Sequence, residues 1–150
     1  MTSLEDAIST EIKALHQLLQ DWFSGACARS RPEFDARLTN RLADDLVLIP
    51  PGGTALTKAE LCEGVWNGYA GSPDFRIEIR TVALRPVSLP GHALATYEEW
   101  QRNAVNSTPP DNARVASVLF ALEDGAPKRW LHIHETWLPA GLTPPERFDF

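Results

Sequence analysis

The stretch that decides the fold class is WLHIHETW at residues 130–137, because it has the two-residue alternation of a β-strand. Side chains alternate between the two faces of a strand, so this run splits into two rows. One predicted row is aromatic and polar: Trp130, His132, His134 and Thr136. The other is apolar except for one carboxylate: Leu131, Ile133, Glu135 and Trp137. A carboxylate on a buried row costs free energy unless it is paired, so Glu135 is either held by a partner or kept for chemistry.

Three earlier strands are predicted in the second half of the chain. Around residues 75–80, isoleucines alternate with charged residues, which is typical of a strand with one solvated face. Further strands are predicted over residues 93–103 and 114–122, and the last over residues 130–138. Residues rich in proline, glycine and asparagine separate them as turns. The proline-rich residues 139–150 predict an irregular C-terminal arm.

The first half of the chain is mainly helical. Residues 4–26 carry apolar side chains at helical spacing and predict one long amphipathic helix. Ser30 and Glu33 have the spacing of a capping box and begin a second, short helix that ends near Ala43.

A small hairpin and a third helix follow. Apolar residues 46–49, a Pro-Gly-Gly turn and residues 54–56 predict the hairpin. Thr57 and Glu60 form a second capping box at the start of the third helix, and Gly71 is placed to end it. Helices first and long strands afterwards predict an α+β fold, in which a curved antiparallel sheet wraps around three N-terminal helices.

The composition excludes several functional classes. The 150 residues suit one domain spanning residues 1–150, and the net charge of −6 argues against nucleic-acid and anionic-membrane partners. Cys27 and Cys62, each in a predicted helix, are too few for a disulfide scaffold, which favours a cytoplasmic location. We expect neither a signal peptide nor a membrane span.

The order of these elements carries a family resemblance. It rests on Trp22 and Phe23 in the first helix, residues 43–47 leading to Gly52 and Gly53, the helix start at residues 58–61, the strand residues 97–101, and Asp124, Gly125, Trp130, Ile133 and His134. Together these resemble the nuclear transport factor 2-like superfamily, which includes ketosteroid isomerases, SnoaL-like cyclases and a kinase association domain. Within it, the chain looks most like small uncharacterised bacterial proteins.

The resemblance implies a cone-shaped fold, a homodimer packed through the outer face of the sheet, and a pocket between the inner face and the helices. It implies no single chemistry, because members of the superfamily include enzymes and proteins that only bind or assemble.

The strand at residues 93–103 offers pocket residues. Tyr97, Glu99 and Gln101 share one face, and we expect that face to line the pocket because small alanines precede Tyr97 on its row. Glu98, Trp100 and Arg102 occupy the other face, and hydrophobicity alone does not choose between the two.

Glu135 is predicted to face the same cavity, with Trp137 near its mouth. Two carboxylates in a low-dielectric cleft push each other's pKa apart, so the one with the raised pKa can act as a general base while Tyr97 donates to an oxyanion. Glu99, Glu135 and Tyr97 are therefore the candidate catalytic residues of a cofactor-independent isomerase or cyclase. In the alternative interpretation, Glu135 pairs with Arg114 or Arg102 in an ordinary cross-strand ion pair, and the protein is a non-catalytic binding or assembly module.

The predicted ligand is a small apolar or aromatic organic molecule. The candidate ligand-binding residues are Trp22, Trp66, Gln101, Arg114 and Trp137. His132 and His134 point the same way on one strand, but we expect them at the dimer side and predict neither a metal nor a cofactor. His16, in the middle of the first helix, is expected to face solvent.

Overall fold

In the computed structural model, which describes residues 2–150, the helices come early in the chain and the strands mostly late. The helices are α1 (Leu4–Ser24), α2 (Arg31–Arg37) and α3 (Lys58–Asn67). The strands are β1 (Leu42–Ile49), β2 (Leu56–Thr57), β3 (Arg76–Arg85), β4 (His92–Arg102), β5 (Asn112–Glu123) and β6 (Ala126–Trp137). The predicted α+β class, a curved sheet wrapped around three helices, is confirmed.

The six strands form one curved sheet in the order β2-β1-β6-β5-β4-β3. Neighbouring pairs are antiparallel except β1 and β6, which run parallel, so the sheet is mixed rather than wholly antiparallel as predicted. Hairpins reverse the chain between β3, β4, β5 and β6, but a long crossover separates β1 from β6. No turn therefore forces that pair to be antiparallel.

The helix ends follow local capping chemistry. α1 ends at Ser24 because Gly25 adopts φ +76°, a conformation that suits glycine, and this is two residues before the predicted end. Ser30 caps α2, which ends at Arg37 rather than near Ala43, and a 3₁₀ turn then leads directly into β1.

α3 has the predicted start and an earlier end. The Thr57 side chain accepts a hydrogen bond from the Glu60 backbone, and the Glu60 side chain accepts one from the Thr57 backbone, so the capping box is complete. The helix ends at Asn67 with Gly68 as its C-cap, before the predicted Gly71.

A β-bulge in β6 changes which side chains share a face. Phe120 pairs with Trp130 and Leu119 pairs with His132, so Leu131 is an extra residue in β6. Trp130 therefore faces inward with Ile133, and it is fully buried against Phe120 with a ring separation of 4.8 Å. The expectation that Trp130 shares a row with His132 and His134 was wrong, because strict alternation does not continue through a bulge.

Trp130 also ties β6 to α1. Its indole nitrogen donates to Glu11 Oε2 at 2.9 Å, and the guanidinium of Arg41 holds the same carboxylate through two hydrogen bonds. Glu11 therefore connects α1, the turn before β1 and the last strand. A charge-assisted, bidentate contact of this kind fixes the orientation of α1 over the sheet.

The C-terminal arm packs on the outer face of the sheet. Two 3₁₀ turns, Ala140–Leu142 and Pro145–Arg147, interrupt an otherwise irregular chain. Phe148 lies 5.1 Å from the ring of Trp100, and the guanidinium of Arg80 lies 4.4 Å from the same ring. The arm thus explains why Trp100 is buried although it points away from the helices. None of the described helices is long and apolar enough to cross a membrane.

We predict that Trp130→Phe lowers the free energy of unfolding by about 1–3 kcal/mol, because it removes the hydrogen bond to Glu11 and leaves a small cavity. Trp137→Phe is the matched control on the same strand. Since Trp137 is 46 % exposed, its loss should cost within about 0.5 kcal/mol. Urea unfolding of both variants measures this, and equal costs would contradict the inward placement of Trp130.

Candidate functional site

A cavity of about 170 Å³ lies between the inner face of the sheet and the helices. Apolar side chains form most of its wall, among them Leu15 and Leu19 from α1 and Leu61 and Val65 from α3. Polar groups enter from the sheet side and, at His16, from α1. The cavity is therefore a mostly apolar pocket with a small number of polar groups, which is the usual composition of a small-molecule site.

The polar groups are placed by the register of β4, β5 and β6. Tyr97, Ala116 and Glu135 lie opposite one another and form one row across the inner face. Neighbouring strands are about 4.8 Å apart, so the Cα atoms of Tyr97 and Glu135 are about 10 Å apart. The methyl group of Ala116 leaves open space between these two side chains.

A second row brings a cation beside the carboxylates. Glu99 lies opposite Arg114, and Arg114 lies opposite Trp137. The structure thus brings five of the predicted site residues to the cavity wall: Tyr97, Glu99, Gln101, Arg114 and Glu135.

His16 is a site residue that sequence reasoning missed. It is only 4 % exposed, its Nε2 lies 3.0 Å from Glu99 Oε1, and its Nδ1 lies 2.7 Å from the carbonyl oxygen of Ile12. The expectation that it faces solvent was wrong. His16 follows Ile12 by four residues and precedes Leu19 by three, so helical spacing places it on the apolar side of α1.

Glu99 and His16 form a buried ion pair. Burial alone would raise the pKa of Glu99, but the charge and hydrogen bond of His16, together with Arg114 and a hydrogen bond from Gln101, lower it to about 2. Burial opposes the charge of His16, yet Glu99 outweighs this effect and raises the pKa of His16. Glu99 is therefore held as a carboxylate and His16 as an imidazolium.

Glu135 is held much more loosely. Arg114 Nη1 lies 3.5 Å from Glu135 Oε1, which is at the long limit of a hydrogen bond. Burial and the nearby negative charge of Glu99 raise the pKa of Glu135 to about 7, and Arg114 only partly offsets them. The two carboxylates thus have opposite pKa shifts, the arrangement expected when one of them can exchange a proton near neutral pH.

Arg114 and Tyr97 supply donors. Arg114 Nη2 donates to Asn112 Oδ1 at 3.1 Å, whereas its Nε is buried without a hydrogen-bond partner. Burial raises the pKa of Tyr97 well above its usual value of 10, so its hydroxyl stays protonated and can donate. Its ring packs edge-on against His16, with 5.4 Å between centroids.

The three tryptophans expected at the pocket lie elsewhere. Trp22 is fully buried in the core, and its indole nitrogen donates to the carbonyl of Trp66 at 3.3 Å. Trp66 stacks beneath Arg31, whose guanidinium lies 3.8 Å from its ring. Trp137 lies beside Arg114, with 4.9 Å between the guanidinium and the ring, and is not among the residues that line the cavity. Trp22, Trp66 and Trp137 are therefore not among the residues that line this cavity, because aromatic neighbours and arginines already occupy their faces.

His132 and His134 do not line the cavity. Their rings lie 6.5 Å apart, His132 half-buried and His134 exposed. Within residues 2–150, no group of three or more histidine, cysteine, aspartate or glutamate side chains is arranged to hold a metal ion.

Solved structures of bacterial proteins share this architecture. An NTF-2-like protein of unknown function from Pseudomonas aeruginosa is 28% identical, with a TM-score of 0.75 over 89% of this chain and 99% of that chain. A protein with a cystatin-like fold from Caulobacter vibrioides is 17% identical, with a TM-score of 0.65 over 91% of this chain and 90% of that one. A ketosteroid isomerase-like protein from Erwinia carotovora atroseptica is 17% identical, with a TM-score of 0.54 over 89% and 95% of the two chains.

No protein-family model matches the sequence, and no curated protein is significantly similar to it. The structural similarity nevertheless covers nearly the whole chain, and the predicted resemblance is confirmed. The chain therefore has the α+β fold of the nuclear transport factor 2-like superfamily.

The opposite pKa shifts of the two carboxylates predict how stability depends on pH. Glu135 has a higher pKa in the folded protein than in the unfolded chain. The contribution of this group to the free energy of unfolding is therefore fully present below about pH 4.5 and is lost as the pH rises through about 7. Glu135→Gln removes this loss. Relative to the native protein, the variant should gain on the order of 2–3 kcal/mol in unfolding free energy between pH 4.5 and pH 8.

Denaturant unfolding at several pH values measures this difference. Glu98→Gln, on the opposite face of β4, is the matched control and should show a smaller change. A native-to-variant difference for Glu135→Gln that stays constant with pH would contradict the raised pKa.

Proposed function

We propose that the protein binds a small organic carbonyl compound and acts as a cofactor-independent isomerase or cyclase-like enzyme, with Glu135 as the general base. The observation that carries this proposal is the buried, loosely held carboxylate of Glu135 across an open alanine from the hydroxyl of Tyr97. The ketosteroid isomerase-like neighbour supports a pocket fold of this kind, but at 17% identity it does not transfer an activity.

The proposed step is proton abstraction beside a carbonyl group. The carboxylate of Glu135 takes a proton from the carbon next to the carbonyl, and the electron pair moves to the carbonyl oxygen to form an enolate. Tyr97 and Arg114 donate hydrogen bonds to that oxygen as negative charge develops. Returning the proton to another carbon completes an isomerisation without any further reactant.

Glu99 is assigned a supporting role. Its carboxylate is already bound by His16 and Gln101, so it is poorly placed to take a proton from a substrate. Its fixed negative charge raises the proton affinity of Glu135 instead. Among the three predicted catalytic residues, we therefore assign the base to Glu135, the donor to Tyr97, and electrostatic tuning to Glu99.

We predict that the protein catalyses deuterium exchange beside the carbonyl of cyclohexanone in D₂O, measured by proton NMR. An apolar cavity of about 150 Å³ can hold benzene, so a six-membered ring suits this one. Glu135→Gln should slow exchange by about 100-fold or more, because general-base catalysis typically contributes 10²–10⁴. Glu98→Gln should leave the rate unchanged.

The pH profile separates the base from the residue that tunes it. Exchange should increase as the pH rises through about 7, where Glu135 loses its proton. Glu99→Gln should move this increase to lower pH, because it removes a negative charge that raises the pKa of Glu135. If deuterium exchange with the protein is no faster than in buffer, the proposed chemistry is overturned. If cyclohexanone still binds under those conditions, the result supports the non-catalytic alternative.

We also propose that the protein is a homodimer packed through the outer face of β5 and β6. The C-terminal arm covers Trp100 but leaves Ser117 exposed between Thr96 and His134. Ser117→Arg places a charge at the centre of this face and should convert a dimer into a monomer in light scattering. Thr54→Arg, at an exposed turn, should leave the mass unchanged. A monomeric native protein would overturn the proposal.

A further inference from the structure

A second void adjoins the cavity. It is a groove of about 380 Å³ between the end of α3 and the loop that follows β4. Phe23 on α1 and Gln101 on β4 line both the groove and the cavity. These two side chains therefore form a wall that the two spaces share.

The size of the cavity indicates that it is only part of a site. Ligand pockets typically enclose about 300–1,000 Å³. The cavity of about 170 Å³ lies below that range by itself, and the groove of about 380 Å³ brings the joint space within it. A ligand confined to the cavity has room for little more than one ring.

Three glycines of α3 and of the turn after it help to keep the groove open. Gly64 in α3, Gly68 at its C-cap and Gly71 in the turn after it all line the groove. A Cβ atom at Gly64 would meet nothing within 4 Å, whereas one at Gly68 would lie 2.8 Å from Cε1 of Phe23. Gly64 thus leaves the groove open, and Gly68 lets the ring of Phe23 lie against the backbone.

The groove offers hydrogen bonds but no charge. Its polar wall residues are Asn67, Ser72, Gln101, Asn106 and Ser107, and the wall contains no ionisable side chain. A larger surface groove on the other side of Phe75 differs in this respect, because Asp74, Arg76 and Arg102 line it.

Gln101 links the chemistry of the two spaces. It is 9 % exposed, and its amide nitrogen donates to Glu99. What Gln101 can offer to a ligand at the junction is therefore its carbonyl oxygen, which accepts a hydrogen bond.

We propose that the cavity and the groove form one binding site for a two-part substrate, with a compact carbonyl head in the cavity and an uncharged, hydrogen-bonding tail in the groove. The identity of the head rests on the proposed function. Amide or hydroxyl groups on the tail would match the side chains of the groove, and the ligand would pass between Phe23 and Gln101.

Three probes test this by isothermal titration calorimetry. Cyclohexanone is the head alone. N-(2-hydroxyethyl)-4-oxocyclohexane-1-carboxamide adds a neutral polar tail, and N-(carboxymethyl)-4-oxocyclohexane-1-carboxamide adds a charged tail of similar length. The neutral tail should lower Kd by about tenfold or more relative to cyclohexanone, and the charged tail should lose most of that gain, because the groove offers no counter-charge.

Gly64→Leu tests whether the gain comes from the groove. The new side chain enters open space, and leucine favours a helix more than glycine does, so the variant should fold. It should remove the gain from the neutral tail and leave the Kd of cyclohexanone unchanged. Ala59→Leu, at an exposed position on the same helix, is the matched control and should change neither value.

Equal Kd values for cyclohexanone and the neutral-tailed probe, no measurable binding of that probe, or a tail gain that survives Gly64→Leu would each overturn the two-part site. Equal gains from the charged and neutral tails would overturn the uncharged character of the tail. Calorimetry does not require turnover, so its outcome is separate from that of the exchange assay. A tailed probe that binds without deuterium exchange supports the two-part site and removes Glu135 as the base. Deuterium exchange with equal Kd values for cyclohexanone and the neutral-tailed probe supports Glu135 as the base and overturns the two-part site.

Discussion

The buried ion pair between His16 and Glu99 is the constraint on which the site depends. It joins the middle of α1 to β4 at 3.0 Å, and both side chains are almost fully removed from water. Removing one partner of a buried pair leaves an uncompensated charge and typically costs about 3–5 kcal/mol. The pair therefore holds the helix against the sheet and fixes one negative charge inside the cavity.

That fixed charge determines what the second carboxylate can do. Because His16 and Gln101 bind Glu99, the pKa of Glu99 falls. Burial and the charge of Glu99 raise the pKa of Glu135, and Arg114, at 3.5 Å, only partly offsets them. Two carboxylates on β4 and β6, the strands on either side of β5, thus acquire different properties from their surroundings. This separation is the physical basis of the proposed acid–base chemistry.

The superfamily fold provides the space but not the chemistry. A curved sheet around helices leaves a cavity wherever small residues replace large ones, and here Ala93, Ala95 and Ala116 lie on the inner face. The Pseudomonas aeruginosa relative has the same architecture and an unknown function, so the fold by itself implies no activity. The function proposed for this chain rests on its own carboxylates, donors and glycine-lined groove.

The sequence determined a large part of the fold, because the signals involved are local. Helical spacing predicted α1, capping residues predicted the starts of α2 and α3, and two-residue alternation predicted the late strands. Alternation with small alanines also predicted the face of β4 that carries Tyr97, Glu99 and Gln101. These patterns depend on neighbours a few residues away, so the amino-acid sequence alone is sufficient to show them.

Only the tertiary structure decided the partners and the shape of the site. The bulge at Leu131 turns Trp130 inward, and this depends on pairing with β5 rather than on the residues of β6. The contact between His16 and Glu99 spans 83 residues, and the weak hold of Arg114 on Glu135 spans 21. Long-range distances, burial and the resulting pKa shifts arise when distant segments meet, and WLHIHETW alone could not show whether Glu135 has a partner.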